Sequence, residues 1–158
     1  MIIVKNFISK KICKDLINWH KEYWPKLKSD NELTEEHYGQ YVINIHYVDK
    51  DIFKLIGAKL NYEIQKISKN HYSNYYQLTK WNTGCQALPH TDIKNHIWSS
   101  ILYLNSNFKG GETIVGDEVV KPETGKLIIF EGAKISHSVN KITKGVRYTV
   151  PSWYNLYK

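Results

Sequence analysis

The sequence predicts a mainly β (α+β) protein, with a double-stranded β-helix (jelly-roll) core and N-terminal helices packed on the outer face of that core. Two observations lead to this prediction. In the first 70 residues, apolar side chains recur every three or four positions, which is the period of a helix. From residue 74 onward the apolar period changes to two, and turn-forming residues separate short segments. We expect one domain over 1–158, in which 1–70 is mainly helical support and 74–155 is the jelly roll.

Two helices are predicted before these strands begin. The first covers residues 9–24, because Ser9 is a typical N-cap and Pro25 is expected to end the helix. Its apolar stripe consists of Ile12, Leu16, Trp19, His20 and Tyr23. The second covers about 51–69, with one face formed by Ile52, Leu55, Ile56, Leu60, Ile64 and Ile67. Both helices are expected to brace the core.

The other segments follow from turn residues and alternation. Residues 26–39 are polar and irregular and predict a loop, which precedes a short strand over 40–47. Eight further strands are predicted between breaks such as Gly110-Gly111 and Lys144-Gly145; they cover 74–81, 86–91, 97–104, 112–115, 117–121, 126–130, 135–141 and 146–154. Eight short, evenly spaced strands after two helices are typical of a jelly roll.

Charge and cysteine content exclude several classes of protein. The net charge of +7 comes from lysines spread along the chain, which indicates a solvated surface, and we do not expect nucleic acid as a partner. No apolar run reaches the roughly 20 residues of a membrane span, so no membrane partner is expected. Cys13 and Cys85 lie far apart in different kinds of segment, which predicts free thiols and a cytoplasmic location. We expect a monomer or a weak dimer.

Two histidines and a carboxylate have the pattern of a metal site. His90 and Asp92 are two residues apart on a predicted strand, so both side chains face the same way while Thr91 faces the other. His137, on the seventh of the eight strands, is the expected third ligand. Two histidines and one carboxylate on one side of Fe(II) leave three adjacent positions open, as oxygen chemistry requires.

Arg147 is the only arginine in a chain with 21 lysines. This composition points to a position that needs a planar, bidentate guanidinium. If residue 137 pairs with residue 149 across the turn at 142–145, Arg147 lies about 7 Å from the level of the metal. That span matches the distance from the chelating end of 2-oxoglutarate to its far carboxylate. Tyr103 is in phase with Ser99 and Ile101 and is expected to add a hydroxyl donor.

A series of motifs over residues 74–155 resembles the Fe(II)- and 2-oxoglutarate-dependent dioxygenases, and within them the prolyl 4-hydroxylase-like group. The motifs are Trp81 to Asp92 (WNTGCQALPHTD), Ile101 to Asn105, Gly110-Gly111-Glu112-Thr113, Val120 to Gly125, Phe130, His137, Gly145 to Tyr148 and Trp153. The resemblance implies that His90, Asp92 and His137 bind iron and form the catalytic centre. It also implies that Arg147 and Tyr103 anchor 2-oxoglutarate and that Trp153 lies near the metal.

Further residues are assigned around this centre. We expect Trp81 and Thr149 in the 2-oxoglutarate site, and Tyr41 and His46, with Trp153, at a substrate groove. The relatives commonly carry tyrosine where this chain has Trp81, whose indole can donate a hydrogen bond but cannot accept one. Collagen-type prolyl hydroxylases typically use lysine where this chain has Arg147, so the likeness leans toward the oxygen-sensing and microbial members.

The resemblance implies an enzyme that couples oxidative decarboxylation of 2-oxoglutarate to hydroxylation of a C–H bond. The expected cofactors and co-substrates are Fe(II), 2-oxoglutarate and O2, with ascorbate as a further candidate. The favoured substrate is a prolyl residue in a peptide or protein, with residues 26–47 as a lid or groove wall. Alternative substrates are a free amino acid, a lysyl side chain or a nucleobase. A jelly roll that binds metal or nucleic acid without catalysis is the alternative from a different class.

Each candidate residue also has a plainer interpretation. His90 and Asp92 could be a surface pair at a strand end, and His137 a histidine satisfied within the core. Tyr103, Trp81 and Trp153 fit ordinary packing when taken singly, and Gly110-Gly111 fits the geometry of a hairpin. The ordered set favours the metal site, since isolated residues of these types are common.

Overall fold

The computed structural model of the chain describes residues 1–156. Within this range twelve strands, two helices and a short 3-10 turn follow one another along the chain. The elements are β1 (Ile2–Val4), α1 (Lys10–Leu27), β2 (Thr34–His37), β3 (Gln40–Ile43), the 3-10 turn (Ile45–Tyr47), α2 (Asp51–Ile67), β4 (His71–Tyr76), β5 (Leu78–Trp81), β6 (Ala87–His90), β7 (Trp98–Tyr103), β8 (Thr113–Val115), β9 (Glu118–Val120), β10 (Leu127–Phe130), β11 (His137–Val139) and β12 (Arg147–Leu156).

In this described part of the chain the strands form two antiparallel sheets. The larger sheet has eight strands in the order β1-β10-β7-β12-β5-β3-β2, with β4 added alongside β12, and the smaller has the order β6-β11-β8-β9. One cavity is lined by side chains from both sheets, so it lies between them. The predicted mainly β fold with accompanying helices is therefore confirmed.

The alternation along β12 separates the two sides of the large sheet. Tyr148, Val150 and Tyr154 point outward and join the apolar cluster that also contains buried residues of both helices. Arg147 and Thr149, on the opposite side of the strand, are also buried. Because side chains alternate along a strand, one sequence of ten residues serves both the helix-packed core and the interior. The helices thus brace the outer face of the large sheet.

Helix α1 begins as predicted but ends later. The side chain of Ser9 accepts a hydrogen bond from the backbone N–H of Ile12, as expected of an N-cap. The helix runs through Pro25 to Leu27, although a proline was expected to end it. Tertiary packing explains the extra turn, because Trp24 stacks on Tyr41 with ring centroids 4.9 Å apart. The contact offsets the single backbone hydrogen bond that Pro25 cannot donate.

Some strand predictions were wrong in extent. Residues 34–37, expected within a loop, form β2, and the predicted strand 40–47 ends at residue 43 and continues as a 3-10 turn. Strand β2 is a charged edge strand without the apolar alternation on which the prediction relied. The predicted strand 74–81 consists of β4 and β5, which break at Gln77. Strand β1 was missed because it is only three residues long.

The predicted pairing of residue 137 with residue 149 was wrong. Strand β11 pairs with β6 and β8 in the smaller sheet, whereas β12 pairs with β4, β5 and β7 in the larger one. The segment between them crosses from one sheet to the other, because Ile142 is fully buried beside Trp81. His137 and Arg147 therefore belong to different sheets, and the spacing estimated for neighbouring strands does not apply.

Cys13 and Cys85 are both buried free thiols, as predicted. Neither helix within residues 1–156 has the length and apolar character needed to cross a membrane.

Candidate metal centre and cavity

The pairing of β6 with β11 brings the two candidate histidines together. His90, the last residue of β6, lies opposite His137, the first residue of β11, and their ring centroids are 4.4 Å apart. Asp92 lies two residues beyond β6 rather than within it, and its backbone N–H donates to the carbonyl of Gly132 at 2.9 Å. One potential ligand atom from each of His90, Asp92 and His137 lies within 4.8 Å of the others. Three donors at this spacing can share one divalent cation.

Both imidazoles are oriented by backbone carbonyls. The Nδ1 atom of His90 lies 2.7 Å from the carbonyl oxygen of Leu88, and Nδ1 of His137 lies 3.0 Å from that of Ile135. A carbonyl oxygen only accepts, so each Nδ1 carries the proton and donates it. Each Nε2 atom is thereby left facing the site, where its deprotonated form can bind a metal.

The carboxylate of Asp92 is held by several donors. The Ser99 hydroxyl donates to Asp92 Oδ2, and His137 Nε2 lies 3.6 Å from the same oxygen. Burial acts to raise the pKa of Asp92, but hydrogen bonds from His137, Ser99 and Trp153 outweigh it and lower that pKa. A Cβ atom at Gly132 would collide with Ser99 Oγ and Asp92 Oδ2, so only glycine fits there. Asp92 is therefore ionised and fixed in orientation.

The histidine beside this carboxylate is shifted in the opposite direction. Burial acts to lower the pKa of His137, but hydrogen bonds to Asp92 and to the carbonyl of Ile135 outweigh it, and the pKa is raised. A raised pKa indicates that the pair formed by His137 and Asp92 favours a positive charge between them. A divalent cation supplies that charge.

The three candidate ligands line a cavity of about 170 Å³ between the two sheets. Its wall also includes Gln77, Thr79, Trp81, Pro151 and Trp153. Alternate residues of two neighbouring strands therefore face the same space, as the pleat requires.

Arg147 is fully buried and lies against Trp81, with the guanidinium carbon 4.9 Å from the centre of the indole ring. Its hydrogen bond goes to the hydroxyl of Thr113 at 3.2 Å, which also accepts from Tyr103 at 2.6 Å. Among residues 1–156 no carboxylate forms an ion pair with it, and its Nε atom has no partner. Burial lowers the pKa of Arg147, and the nearby Tyr103 opposes this effect.

The predicted 2-oxoglutarate residues occupy two layers. Trp81 lines the cavity, and its indole Nε1 is buried without a partner in the described structure. Arg147, Tyr103 and Thr149 are buried but are not part of the cavity wall. Strand pairing nevertheless places Arg147 beside Trp81 and Thr149 beside Tyr103. The unpaired donors of Arg147 and Trp81 suit the carboxylate of a small acid.

The sequence profile of the 2OG-Fe(II) oxygenase superfamily matches residues 72–155, which is more than half of the chain. The chain belongs to this superfamily. Membership confirms the resemblance inferred from the motifs and implies Fe(II) and 2-oxoglutarate as the cofactor and co-substrate. The histidines, the carboxylate and the unpaired donors described above are chemically suited to hold both.

Two curated relatives cover parts of this oxygenase. Human prolyl 3-hydroxylase 2 is 36% identical over 67 residues, which are 37% of this chain and 10% of that protein. A PKHD-type hydroxylase of Pseudomonas putida (strain W619) is 36% identical over 61 residues, which are 35% of this chain and 26% of that protein. The match thus spans about a tenth of the length of the prolyl 3-hydroxylase.

Solved structures share the fold over nearly the whole oxygenase chain. The viral collagen prolyl hydroxylase of Paramecium Bursaria Chlorella virus-1, solved with 2OG, has a TM-score of 0.77 at 17% identity and covers 99% of this chain and 96% of its own. A Pseudomonas putida prolyl-4-hydroxylase has a TM-score of 0.79 at 15% identity, covering 99% and 92%. At these identities the likeness confirms the jelly-roll fold.

The residues predicted at the substrate groove are placed differently. Tyr41 faces away from the cavity of this oxygenase, because it stacks on Trp24 of α1, while its neighbours Gln40 and Val42 line the cavity. Tyr41 is therefore not part of the cavity wall, since it lies one step of the strand alternation away from the residues that are. Trp153 does line the cavity.

His46 is connected to the cavity through one tyrosine. Its ring lies 4.7 Å from Tyr75, which in turn lies 5.1 Å from Trp153, and its Nδ1 donates to the carbonyl of Tyr76 at 3.0 Å. His96 lies 6.4 Å from Tyr75 and 6.2 Å from Trp153. His46 is not part of the wall itself, but with Tyr75, Trp153 and His96 it forms an aromatic rim.

Ser99, Gly132, Tyr75 and Gln77 were not selected from the sequence as site residues. Ser99 could have been found, since it is two and four residues from Ile101 and Tyr103 on the same strand face. Gly132 had no signal of this kind, because the space that it leaves is visible only when three separate segments meet.

Proposed function

We propose that this oxygenase hydroxylates a prolyl residue in a peptide or protein, using Fe(II), O2 and 2-oxoglutarate. The observation that carries the proposal is the convergence of His90, Asp92 and His137 within 4.8 Å at the wall of a cavity. Fe(II) and 2-oxoglutarate, when bound, would supply the electrons that activate O2 toward a C–H bond.

The chain contributes geometry and charge to this reaction. His90 and His137 would offer Nε2 and Asp92 one carboxylate oxygen to the metal, and a set of only three protein ligands would leave room for 2-oxoglutarate and O2. Ser99 and the two backbone carbonyls hold the three ligands in orientation. Rigid ligands maintain the open positions, because they do not rearrange to fill them.

The proposed role of Arg147 is to bind the far carboxylate of 2-oxoglutarate. An unpaired guanidinium at 1% exposure is costly, and a carboxylate would complete its hydrogen bonds. Thr113, Tyr103 and Thr149 add hydroxyl groups near it. Trp81 contacts Arg147 and also lines the cavity, so its indole touches the bound acid in this proposal.

The aromatic rim supports a prolyl substrate. Trp153 lies at the cavity beside Asp92, and Tyr75, His96 and His46 extend from it. Flat aromatic faces pack well against a pyrrolidine ring and against an extended peptide. The names of the relatives, prolyl 3-hydroxylase and prolyl-4-hydroxylase, agree with this substrate class.

Turnover without prime substrate tests the oxygenase step. Purified protein with Fe(II) should consume O2 and form succinate from 2-oxoglutarate, with ascorbate added in parallel samples. Asp92→Ala should abolish succinate formation, whereas Asp117→Ala, at an exposed turn, should leave it unchanged. Equal activity in both variants would contradict the proposed site.

Mass spectrometry tests the substrate. Incubation with proline-containing peptides should give a product heavier by one oxygen atom. Oxidation of free amino acids, lysyl peptides or nucleobases instead would contradict the prolyl assignment and leave the oxygenase assignment standing.

A further inference from the structure

Gln77 occupies the break between β4 and β5, where the cavity meets the aromatic rim. Its side chain is 7% exposed and lines the cavity on the same strand face as Thr79 and Trp81. Its backbone N–H donates to the carbonyl of Pro151 at 3.1 Å, which fixes its position beside β12. A buried amide at such a place must satisfy both its donors and its acceptor.

The two donors of Gln77 are used by its neighbours. Gln77 Nε2 donates to Asn44 Oδ1 at 2.9 Å and to the Tyr75 hydroxyl at 2.8 Å. Asn44 Nδ2 also donates to Glu35 Oε1 at 3.4 Å, and burial together with the Glu35 carboxylate raises the pKa of Tyr75. We call these four side chains the Glu35 ring.

The carboxylate of Glu35 sets the direction of every bond in this ring. Glu35 is an acceptor, so Asn44 must turn its Nδ2 toward it. Asn44 Nδ2 also approaches the carbonyl of Glu32 at 3.4 Å, which reinforces that orientation. Asn44 Oδ1 and the Tyr75 oxygen are left as acceptors, and Gln77 must therefore present Nε2 to them.

The remaining polar atom of Gln77 is its carbonyl oxygen, Oε1. Within residues 1–156 the hydrogen bonds of this side chain all go through Nε2, so Oε1 is left as a free acceptor at the cavity. Its complement is a hydrogen-bond donor. Ionised 2-oxoglutarate has no donor, so the complement belongs to the prime substrate.

We infer that Gln77 is a specificity-determining residue that accepts a hydrogen bond from the backbone N–H of the residue after the target proline. This inference rests on the proposed prolyl hydroxylase function. Proline has no N–H of its own, and the nearest one along the chain belongs to the following residue. Glu35 is the positioning residue, because it fixes the Gln77 amide without reaching the cavity wall.

Paired peptides test this hydrogen bond directly. The probes are acetylated Xaa-Pro-Gly amides and their twins with N-methylglycine in place of glycine, in which a methyl group replaces the amide hydrogen. With the wild-type protein, N-methylation should lower kcat/KM for hydroxylation about tenfold, because the acceptor at the cavity wall loses its donor. In Gln77→Met, a change of similar volume, methylated and unmethylated peptides should react equally.

Two further variants distinguish loss of the proposed hydrogen bond to the peptide from general disruption of the protein. Glu35→Gln should also reduce discrimination between the twins, since an amide at position 35 no longer fixes the direction of the ring. Gln65→Met, on the exposed face of α2, should retain the tenfold discrimination. Uncoupled succinate formation should be unchanged in Gln65→Met, which lies outside the cavity.

The outcomes distinguish this inference from the function on which it rests. Equal discrimination by wild type and Gln77→Met would overturn the role of Gln77. Succinate formation without any hydroxylated peptide would overturn it as well, together with the prolyl assignment, but would leave the oxygenase function standing. Failure to form succinate at all would overturn the proposed function itself.

Discussion

Replacing Arg147 by methionine tests whether the buried guanidinium is the anchor of 2-oxoglutarate. In the absence of ligand the wild-type protein buries this charge at 1% exposure beside the hydroxyl groups of Thr113 and Tyr103. Methionine has a similar length and no charge, so its free energy of unfolding without ligand should stay within about 1 kcal/mol of wild type, because removal of an unpaired buried charge offsets the lost contact with Trp81.

The ligand effect should be much larger than the effect on the free protein. A ligand at 100 times its Kd adds about 2.7 kcal/mol of stability, and 1 kcal/mol corresponds to about 2–4 °C in Tm for a domain of this size. Wild type should therefore gain about 5–11 °C. Loss of a bidentate carboxylate contact of about 3 kcal/mol weakens binding about 100-fold, which lowers the gain at the same concentration to about 1–2 °C.

The assay is thermal unfolding under anaerobic conditions with Mn²⁺ in place of Fe²⁺. The ligand pair is 2-oxoglutarate and 2-oxopentanoate, which share the chelating end and differ in the far carboxylate. Wild type should distinguish the two acids, and Arg147→Met should not. Lys144→Met removes an exposed positive charge near the same turn and should behave as wild type.

A particular result would refute the assignment of Arg147. If Arg147→Met still shows a much larger Tm gain with 2-oxoglutarate than with 2-oxopentanoate, the far carboxylate binds elsewhere. The buried guanidinium would then be a structural partner of Trp81, Tyr103 and Thr113 only.

Two further predictions concern metal binding and pH. Ser99→Ala should weaken Mn²⁺ binding, measured by titration calorimetry, about 10- to 100-fold, because Asp92 loses an orienting donor. Ser100→Ala loses its hydrogen bond with Tyr154 and should bind Mn²⁺ normally. Equal Mn²⁺ affinities in both variants would contradict the role of Ser99. Burial lowers the pKa of His20 from 6.5 to about 4, so the unfolded chain binds the extra proton between these pH values. The contribution of His20 to the free energy of unfolding should therefore be fully present above pH 6.5. In denaturant titrations the free energy of unfolding should fall by about 3 kcal/mol on acidification to pH 4. His20→Leu should lose this component and the exposed His37→Gln should keep it; an unchanged pH dependence in His20→Leu would assign the effect to other groups.

The sequence was sufficient for the identity of the candidate site because its chemistry lies in residue types and their spacing. His90 and Asp92 are separated by two residues, and Arg147 stands out against 21 lysines, whatever the surrounding fold. Strand alternation also placed Ser99 and Tyr103 on one face. These features depend on local geometry, which a sequence pattern carries directly.

Long-range pairing was not accessible in the same way. The assumed pairing of residues 137 and 149 was wrong because the two residues belong to strands of different sheets. Ile142, in the segment that connects these strands, is buried in the core. Tyr41 was predicted to line a substrate groove, yet its ring stacks on Trp24 of helix α1. A strand pattern states which residues share a face, but the partner segments decide which face is inside.

The sequence by itself determined the type of fold, the candidate metal ligands and the presence of a single special guanidinium. Only the tertiary structure decided that the ligand atoms lie within 4.8 Å of one another, that Arg147 is buried without a carboxylate partner, and that Gln77 Nε2 donates to Asn44 and Tyr75. The physical reason is that hydrogen-bond direction and desolvation arise where separate segments meet, and neither is a property of any one segment.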